Sequence, residues 1–326
     1  CCTTELEPPG RKYLRALASA GNNQLTTTMT NIFSSRDSRE ALELLSEQLA
    51  MQVRRKKEEP FFLFIPYVLP HAELLVPEDS IIQKFRGMYP EQPHHGTDSG
   101  PMFRKGGYCS QVYPHATFAA MVYRYDVYVG QIIQKLKDKG LYDNTIIIFA
   151  SDNGPHMEGG ADPDFFNSNG IYRGYKRDLY EGGIRVPMII SWPGHIQPGT
   201  ETNFMCSFWD VLPTFEEIIH PKAKQKEMDG VSMLPLLQNR KGQKEHEFLY
   251  FEFQEMNGRQ AVRQGPWKLV HMNIRGDKPY YELYNLAADP SEKYNLLDKY
   301  PEKVAELKEI MIREHIEDPN WPLLKK

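Results

Sequence analysis

The stretch Thr145-Ile146-Ile147-Ile148-Phe149-Ala150-Ser151-Asp152-Asn153-Gly154 decides the fold class of this chain. Its first six residues are β-branched or apolar, which is typical of a strand buried on both faces of a sheet. Asp152 and Asn153 follow at once, and Gly154 favours a tight turn. A buried strand that ends in polar side chains predicts an open α/β sheet, where ligands bind beyond the carboxyl ends of the strands.

Segments on both sides of this strand extend the pattern. Residues 61–68 form a continuous apolar run of strand length, and residues 186–192 form another. Residues 118–136 carry apolar side chains at helical spacing. Residues 70–115 hold many Pro, Gly and His and predict a long surface excursion. The order strand, excursion, helix, strand predicts an α/β fold with a mixed, largely parallel sheet flanked by helices.

The two ends of the chain differ from this centre. Residues 1–36 show no sustained apolar period and are expected to form a poorly specified leader. Leucines at helical spacing predict a helix over residues 42–53, inside an α/β domain that covers residues 37–240. Residues 241–326 change to short alternating segments and a final helical pattern. They predict a smaller α+β subdomain with an antiparallel sheet.

The composition excludes several classes of protein. The chain has 326 residues, with 39 Lys and Arg against 43 Asp and Glu, so its formal net charge is −4. A protein that binds nucleic acid through bulk charge carries a basic excess, so we expect no nucleic-acid partner. No apolar run approaches the roughly 18 residues of a membrane span, and we expect none. The first thirty residues show no signal peptide, and four irregularly spaced cysteines indicate no disulfide framework.

Three polar residues at the ends of these strands are candidates for chemistry. His71 follows the first apolar strand, and Asp152 and Asn153 follow the second. Carboxylate and amide oxygens are the ligands that hard cations such as Ca²⁺ and Mg²⁺ prefer. Asp-Asn-Gly is also common turn chemistry, so this motif alone leaves a plain turn as the alternative.

A longer motif follows at residues 170–187, which read GIYRGYKRDLYEGGIRVP. Together with the Ser-Asp-Asn-Gly sequence of residues 151–154, it resembles the sulfatase family, the type-I arylsulfatases of the alkaline-phosphatase superfamily. Residues 156–163 resemble the branch of that family that acts on glycans. Further resembling segments are residues 60–73, 119–122, 267–269, 282–286 and 289–292. The resemblance covers residues 37–326.

The resemblance implies an incomplete alkaline-phosphatase-like fold and the hydrolysis of sulfate monoesters, in sulfated glycans or aryl sulfates. It implies that Asp152 and Asn153 bind a divalent cation, Ca²⁺ with Mg²⁺ as the alternative. Lys176 would contact the sulfate oxygens, His71 would contact the sulfate or the leaving-group oxygen, and His156 is a candidate substrate contact. A cation, an ammonium and an imidazole stabilise the charge that develops when a sulfate ester is cleaved. A periplasmic, extracellular or lysosomal compartment is also implied.

Each polar residue of this region also has a structural interpretation. Lys176 could be a solvated loop lysine, and His156 could support the loop. Glu181 and Arg185 are expected to form an internal ion pair that shapes the loop.

One part of the family pattern is not matched. Sulfatases make their nucleophile by oxidising the Cys or Ser of a Cys/Ser-x-Pro-x-Arg motif to formylglycine. None of the four cysteines has Pro two residues on and Arg four residues on, and Ser99 has its arginine, Arg104, one place late. The expectation is therefore a truncated sulfatase that lacks the nucleophile. Two alternatives stay open: a non-catalytic binder of sulfated glycans, and a phosphate or phosphonate ester hydrolase of the same superfamily.

Overall fold

The computed structural model describes residues 26–29, 60–97, 108–221 and 228–323. The chain divides into two compact units, Cys1–Tyr142 and Asp143–Lys326. The helix predicted over residues 42–53 lies outside the described residues. Within the described part of the chain, no helix is long and apolar enough to cross a membrane.

The first unit contains a parallel pair of short strands. Strand β1 (Thr26–Met29) pairs with β2 (Phe61–Phe64), with Thr26 opposite Phe61. Strand β1 lies inside the segment expected to be an unstructured leader. Three successive threonines favour an extended backbone, but four residues are too few to show a period in the sequence. Strand β2 is shorter than the apolar run because Pro66 follows it and cannot donate a ladder hydrogen bond.

Two helices pack against each other in the described part of the first unit. Helix α1 (Ser80–Phe85) begins at Asp79, whose carboxylate accepts the Ile81 N–H at 3.0 Å. Helix α2 (Pro114–Asp138) covers the predicted helix and extends it at both ends. The same Asp79 carboxylate pairs with Arg124 of α2 at 2.8 Å and so ties the two helices together. Their buried apolar contact consists of Ile82, Ala116 and Ala120.

In the second unit, strand β3 (Ile147–Ala150) carries the predicted site residues at its end. It pairs with β4 (Met188–Ser191), and the pairing is antiparallel, with Ile147 opposite Ser191. Both strands match apolar runs in the sequence, but a run of apolar residues does not encode the direction of pairing. The strands are half-buried rather than fully buried, and Ile189 is 64% exposed. One face of the pair lines a small apolar space with helix α4 (Val211–Ile219).

Four further strands form a sequential antiparallel sheet. They are β5 (Leu249–Phe253), β6 (Arg259–Gln264), β7 (Trp267–Met272) and β8 (Tyr280–Asn285). Successive side chains point to opposite faces, so the sheet has two different apolar faces. One face packs against helix α6 (Pro301–Glu314) through Val262, Leu269, Leu283 and Leu307. The other face, with Ala261, Val270 and Tyr284, packs against Leu179 and Tyr180.

The packing of Leu179 and Tyr180 on this sheet positions the site, because both residues belong to the loop that carries Lys176. The sheet lies between α6 on one face and this loop on the other.

The described helices and strands place the chain in the α/β class. Its division into parts 1–36, 37–240 and 241–326, and a largely parallel main sheet, stay predictions. Short helices α3 (Glu181–Ile184) and α5 (Leu234–Leu237) complete the described helices.

Candidate functional site

The turn that follows β3 is fixed by two hydrogen bonds of its own side chains. The Ser151 hydroxyl donates to the Asn153 carbonyl at 2.9 Å, and the Asn153 amide Nδ2 donates to the Gly154 carbonyl at 2.8 Å. With Nδ2 engaged, Oδ1 is the acceptor that Asn153 can offer. Asp152 is exposed, and no described residue forms a hydrogen bond or ion pair with its carboxylate. The turn therefore presents two oxygen donors, as the sequence predicts.

The loop that carries Lys176 is bound directly to this turn. The Lys176 N–H donates to the Pro155 carbonyl at 2.8 Å, and the Gly154 N–H donates to the Gly183 carbonyl at 2.9 Å. The Lys176 side chain is half-buried. The structure thus brings Lys176 to the same end of β3 as Asp152 and Asn153, although more than twenty residues separate them in the sequence.

Two glycines permit this close approach. A Cβ atom at Gly154 would lie 1.9 Å from the Gly182 carbonyl oxygen, and one at Gly182 would lie 2.2 Å from the Gly174 carbonyl oxygen. Both distances are far below van der Waals contact, and both neighbours are backbone atoms that cannot rotate away. The Glu-Gly-Gly motif is therefore a packing requirement of the loop.

Charged side chains surround Lys176. Arg177 forms an ion pair with Glu158, and its Nε lies 3.7 Å from the Glu255 carboxylate. Burial opposes the charge of Glu158, but the hydrogen bond from Arg177 and the charges of Lys176 and Arg177 outweigh it and lower the pKa of this carboxyl. Glu158 is therefore an ionised neighbour of Lys176.

His156 follows the turn at the end of β3 and is buried. Its Nδ1 accepts the Glu158 N–H at 3.2 Å, which is a loop-supporting role. A backbone N–H can only donate, so the neutral ring carries its proton on Nε2. This contact favours the structural interpretation of His156, and its contact with substrate stays a prediction.

Glu181 is the centre of a buried ion network that is larger than the predicted pair with Arg185. That pair is present, at 3.7 Å. In addition, Lys268 Nζ lies 2.9 Å from a Glu181 oxygen and 2.9 Å from a Glu292 oxygen, and Arg263 lies 3.3 Å from Glu181. Burial raises the pKa of Glu181, but Lys268 and Arg263 outweigh it, so the pKa of Glu181 is lowered. Burial dominates for Glu292, whose pKa is raised.

Neither Lys268 nor Glu292 stands out in the sequence through a catalytic motif. A signal for Lys268 does exist, because side chains alternate along a strand and Lys268 shares the face of Val270. That face is apolar at Ala261 and Val270, so a lysine there requires a buried partner. Glu292 lies in the segment 289–292 that resembles the family, but the sequence does not show its contact, since its partner Glu181 is 111 residues away.

His71 belongs to the first unit. Its Nδ1 lies 2.7 Å from the Ala72 carbonyl oxygen, and its ring contacts Tyr108 edge-on at 6.4 Å. A carbonyl oxygen can only accept, so Nδ1 carries a proton. Nε2 is then the nitrogen through which the imidazole can take up or release a proton.

The donor set at the end of β3 is suited to part of a calcium site. Asp152 and Asn153 offer the oxygen atoms that Ca²⁺ prefers, but calcium takes six to eight oxygen ligands. No cluster of three or more His, Cys, Asp or Glu side chains that could hold a metal occurs among the described residues. The two side chains therefore fit a calcium ion as two of its ligands.

We expect this chain to bind Ca²⁺ with a Kd no tighter than about 1 mM, the weak end of calcium-binding modules. Calorimetric titration of the full chain measures this, and Asp152→Asn should weaken binding several-fold further because a charged ligand is lost. Asp298→Asn, at an exposed position of the same unit, is the matched control. Micromolar affinity in the wild type would contradict the expectation and show that further ligands complete the site.

Comparison with protein families gives two matches to this chain. The family described as Sulfatase matches residues 12–219, and the family described as N-sulphoglucosamine sulphohydrolase, C-terminal, matches residues 170–317. The first match begins at residue 12, so it includes part of residues 1–36, which the sequence predicts to be a poorly specified leader. The second match includes Lys176, Glu181, Lys268 and Glu292.

Curated relatives include N-acetylgalactosamine-6-O-sulfatase of Bacteroides thetaiotaomicron, with 30% identity over 226 residues. That alignment covers 61% of this chain and 43% of the relative. Steryl-sulfatase of Rattus norvegicus is 31% identical over 213 residues, covering 63% of this chain and 32% of the relative. The chain therefore spans less than half the length of these relatives.

A crystal structure of Ps i-CgsB in complex with k-i-k-neocarrahexaose is similar to this chain, with a TM-score of 0.65 and 25% identity. The similarity covers 95% of this chain and 62% of that one. A protein solved with its substrate D-glucosamine-2-N,6-O-disulfate has a TM-score of 0.50 and 26% identity, covering 62% of this chain and 40% of that one.

Proposed function

This chain belongs to the sulfatase family, and we propose that its second unit binds the sulfate group of a sulfate monoester so that the ester can be hydrolysed. One observation carries the proposal: the Lys176 loop is hydrogen-bonded to the turn that bears Asp152 and Asn153. An ammonium group and two oxygen ligands for a cation thus meet at one strand end. This combination is suited to a dianionic or monoanionic oxyanion such as sulfate.

Each side chain has a role that follows from the charge of a sulfate ester. As the bond between sulfur and the leaving-group oxygen breaks, negative charge grows on that oxygen. The Lys176 ammonium would bind the sulfate oxygens through charge-assisted hydrogen bonds. His71, which belongs to the first unit, is proposed as a contact of the sulfate or of the leaving-group oxygen through Nε2, because Nδ1 is bound to the Ala72 carbonyl.

Asp152 and Asn153 would hold the cation, which we propose to be Ca²⁺, with Mg²⁺ as the alternative. When bound, such an ion supplies positive charge beside the sulfate oxygens. The family's nucleophile, formylglycine, requires a Cys/Ser-x-Pro-x-Arg motif, and these 326 residues contain none. The residues named here would therefore bind the ester, and none of them is proposed as the nucleophile.

We propose sulfated glycans as the substrate class, with aryl sulfates as the alternative. The support is that one relative is named for a sulfated amino sugar and two similar structures contain a carrahexaose and a disulfated glucosamine. His156 would then contact the sugar through the side of the ring opposite Nδ1. A periplasmic, extracellular or lysosomal location is proposed from family membership alone.

Lys176→Ala should weaken binding of inorganic sulfate to the full chain by about tenfold or more, because a charge-assisted hydrogen bond is worth about 1.5–3 kcal/mol. Calorimetry or NMR titration measures the affinity. Lys293→Ala is the matched control, since Lys293 is an exposed lysine of the same unit. An unchanged affinity in Lys176→Ala would overturn the assignment of Lys176 to the sulfate.

The same titration separates the alternatives. Inorganic phosphate that binds more tightly than sulfate would favour a phosphate or phosphonate ester hydrolase. Turnover of 4-nitrophenyl sulfate by the full chain would show that these residues suffice for catalysis. Binding of a sulfated saccharide without any turnover would favour a non-catalytic binder.

A further inference from the structure

We propose that Glu292 is a positioning residue for Lys176: it clamps both ends of the loop that carries this lysine, and Lys268 holds the clamp in place. The inference rests on the proposed function, because it concerns the residue assigned to the sulfate. The observation behind it is that Glu292 contacts both Arg173, which precedes Lys176 in the loop, and Glu181, which follows it.

Glu292 contacts the loop with two different groups. Its side-chain Oε2 accepts the Glu181 N–H at 2.7 Å. Its main-chain carbonyl accepts a hydrogen bond from Arg173 Nη1 at 3.1 Å. The first contact holds the residue at which α3 begins, and the second holds the residue three positions before Lys176. A single residue therefore sets the separation of the two ends of this loop.

The loop transmits this constraint to the strand end through its own backbone bonds. The Gly182 N–H donates to the Arg173 carbonyl at 2.7 Å, so the two clamped ends are also joined to each other. The Gly183 carbonyl accepts a hydrogen bond from the Gly154 N–H, and the Lys176 N–H donates to the Pro155 carbonyl. A shift of Glu181 would therefore move the glycines that contact Gly154, and with them the position of Lys176.

Burial indicates that the clamp is a specific device. Glu292 and Lys268 are fully buried, and Glu181 is 1% exposed. Buried charges are retained only where partners compensate them, and here one lysine faces two carboxylates at 2.9 Å each. Glu292 also has a positive φ of 52°, a conformation that non-glycine residues seldom adopt. The surrounding contacts thus hold Glu292 in an unfavourable backbone state that aims it at the loop.

Two substitutions at position 292 test the clamp. Glu292→Ala removes the acceptor for the Glu181 N–H, whereas Glu292→Gln removes the same charge but keeps an acceptor oxygen. We expect Glu292→Ala to accelerate hydrogen exchange of the Lys176 N–H about tenfold and to weaken inorganic sulfate binding similarly, the scale of one lost charged hydrogen bond. Glu292→Gln should restore part of both, because its one amide oxygen can still accept the Glu181 N–H while its NH2 group then faces the Lys268 ammonium. Glu309→Ala, exposed on α6, is the control.

The outcomes separate this inference from the proposed function. Exchange of the Lys176 N–H needs no ligand, so wild-type exchange rates in a folded Glu292→Ala chain overturn the clamp even if sulfate binds. Failure of the wild type to bind sulfate overturns the proposed function alone.

A second variant covers the case in which Glu292→Ala does not fold. Arg173→Met removes the other contact of the clamp, together with the guanidinium contacts to the Tyr284 hydroxyl and the Tyr180 ring, and 40% of the Arg173 side chain is accessible to solvent. It should accelerate exchange of the Lys176 N–H while exchange in α6 stays at the wild-type rate. Wild-type exchange at Lys176 in this variant would overturn the clamp.

Discussion

Replacing Lys268 by Met is expected to lower the free energy of unfolding by about 3–5 kcal/mol, the usual result of removing one partner from a buried ion pair. Lys268 is fully buried, and its ammonium lies 2.9 Å from oxygens of both Glu181 and Glu292. Met has a similar length and packs well, so little apolar contact is lost. The loss therefore comes from two buried carboxylates that no longer face a lysine.

The decrease in unfolding free energy should depend on pH, and the pKa values of the two carboxylates decide whether it grows or shrinks as pH rises. Burial already raises the pKa of Glu292, and without Lys268 nothing but the Glu181 N–H among the described residues opposes it, whereas Glu181 keeps Arg263 and Arg185 beside it. A group whose folded-state pKa is raised adds stability below the unfolded pKa and loses it as pH rises through the folded value. The stability deficit of Lys268→Met should therefore be smallest near pH 4 and largest near neutral pH.

Urea denaturation of wild type and Lys268→Met at several pH values measures both effects. Lys308→Met is the matched control, because Lys308 packs over the Tyr281 ring of the same sheet but lies outside the network. We expect the control to change the unfolding free energy by less than about 1 kcal/mol. If Lys268→Met lowered the unfolding free energy at neutral pH by less than Lys308→Met does, the ion network of Lys268, Glu181 and Glu292 would not stabilise the fold.

The elements of this fold could be predicted where the apolar period is long. Helix α2 has 25 residues and several turns on one stripe, and the four strands β5 to β8 alternate clearly. The direction in which β3 and β4 pair could not be predicted, because four apolar residues carry no information about direction. Strand β1 was missed for a related reason, since a run of threonines lacks an apolar period.

The candidate site also has features that the sequence could predict and features that it could not. Asp152, Asn153 and Lys176 could be predicted because each lies within a local motif that resembles a family. Their proximity depends on Gly154 and Gly182, whose role appears only when two backbones approach each other. The contact of Glu292 could not be predicted, although the segment 289–292 resembles the family, because its partner lies 111 positions away. Local motifs thus predict candidate binding side chains, and the folded chain shows which contacts position them.

Gly154→Ala is the second substitution with a large expected effect. The added Cβ would lie 1.9 Å from the Gly182 carbonyl oxygen and 2.9 Å from the Gly183 Cα, both backbone atoms. The loop must therefore move as a whole, and overpacking of this kind costs about 1–3 kcal/mol and occasionally more. Because the Gly154 N–H also donates to the Gly183 carbonyl at 2.9 Å, the movement breaks the bond between loop and turn.

We expect this movement to lower both the unfolding free energy and the affinity for sulfate. A glycine-to-alanine substitution at a site with open space is the control. Gly130→Ala adds the same methyl group in α2, where a Cβ meets no atom within 4 Å, and should stabilise the chain by about 0.5–1 kcal/mol. Gly154→Ala should instead lower the urea midpoint and weaken inorganic sulfate binding about tenfold or more, since Lys176 loses its position beside Asp152 and Asn153. Wild-type sulfate affinity in a folded Gly154→Ala chain would mean that Lys176 binds sulfate without being held to this turn. The contact between the two glycines would then serve folding alone.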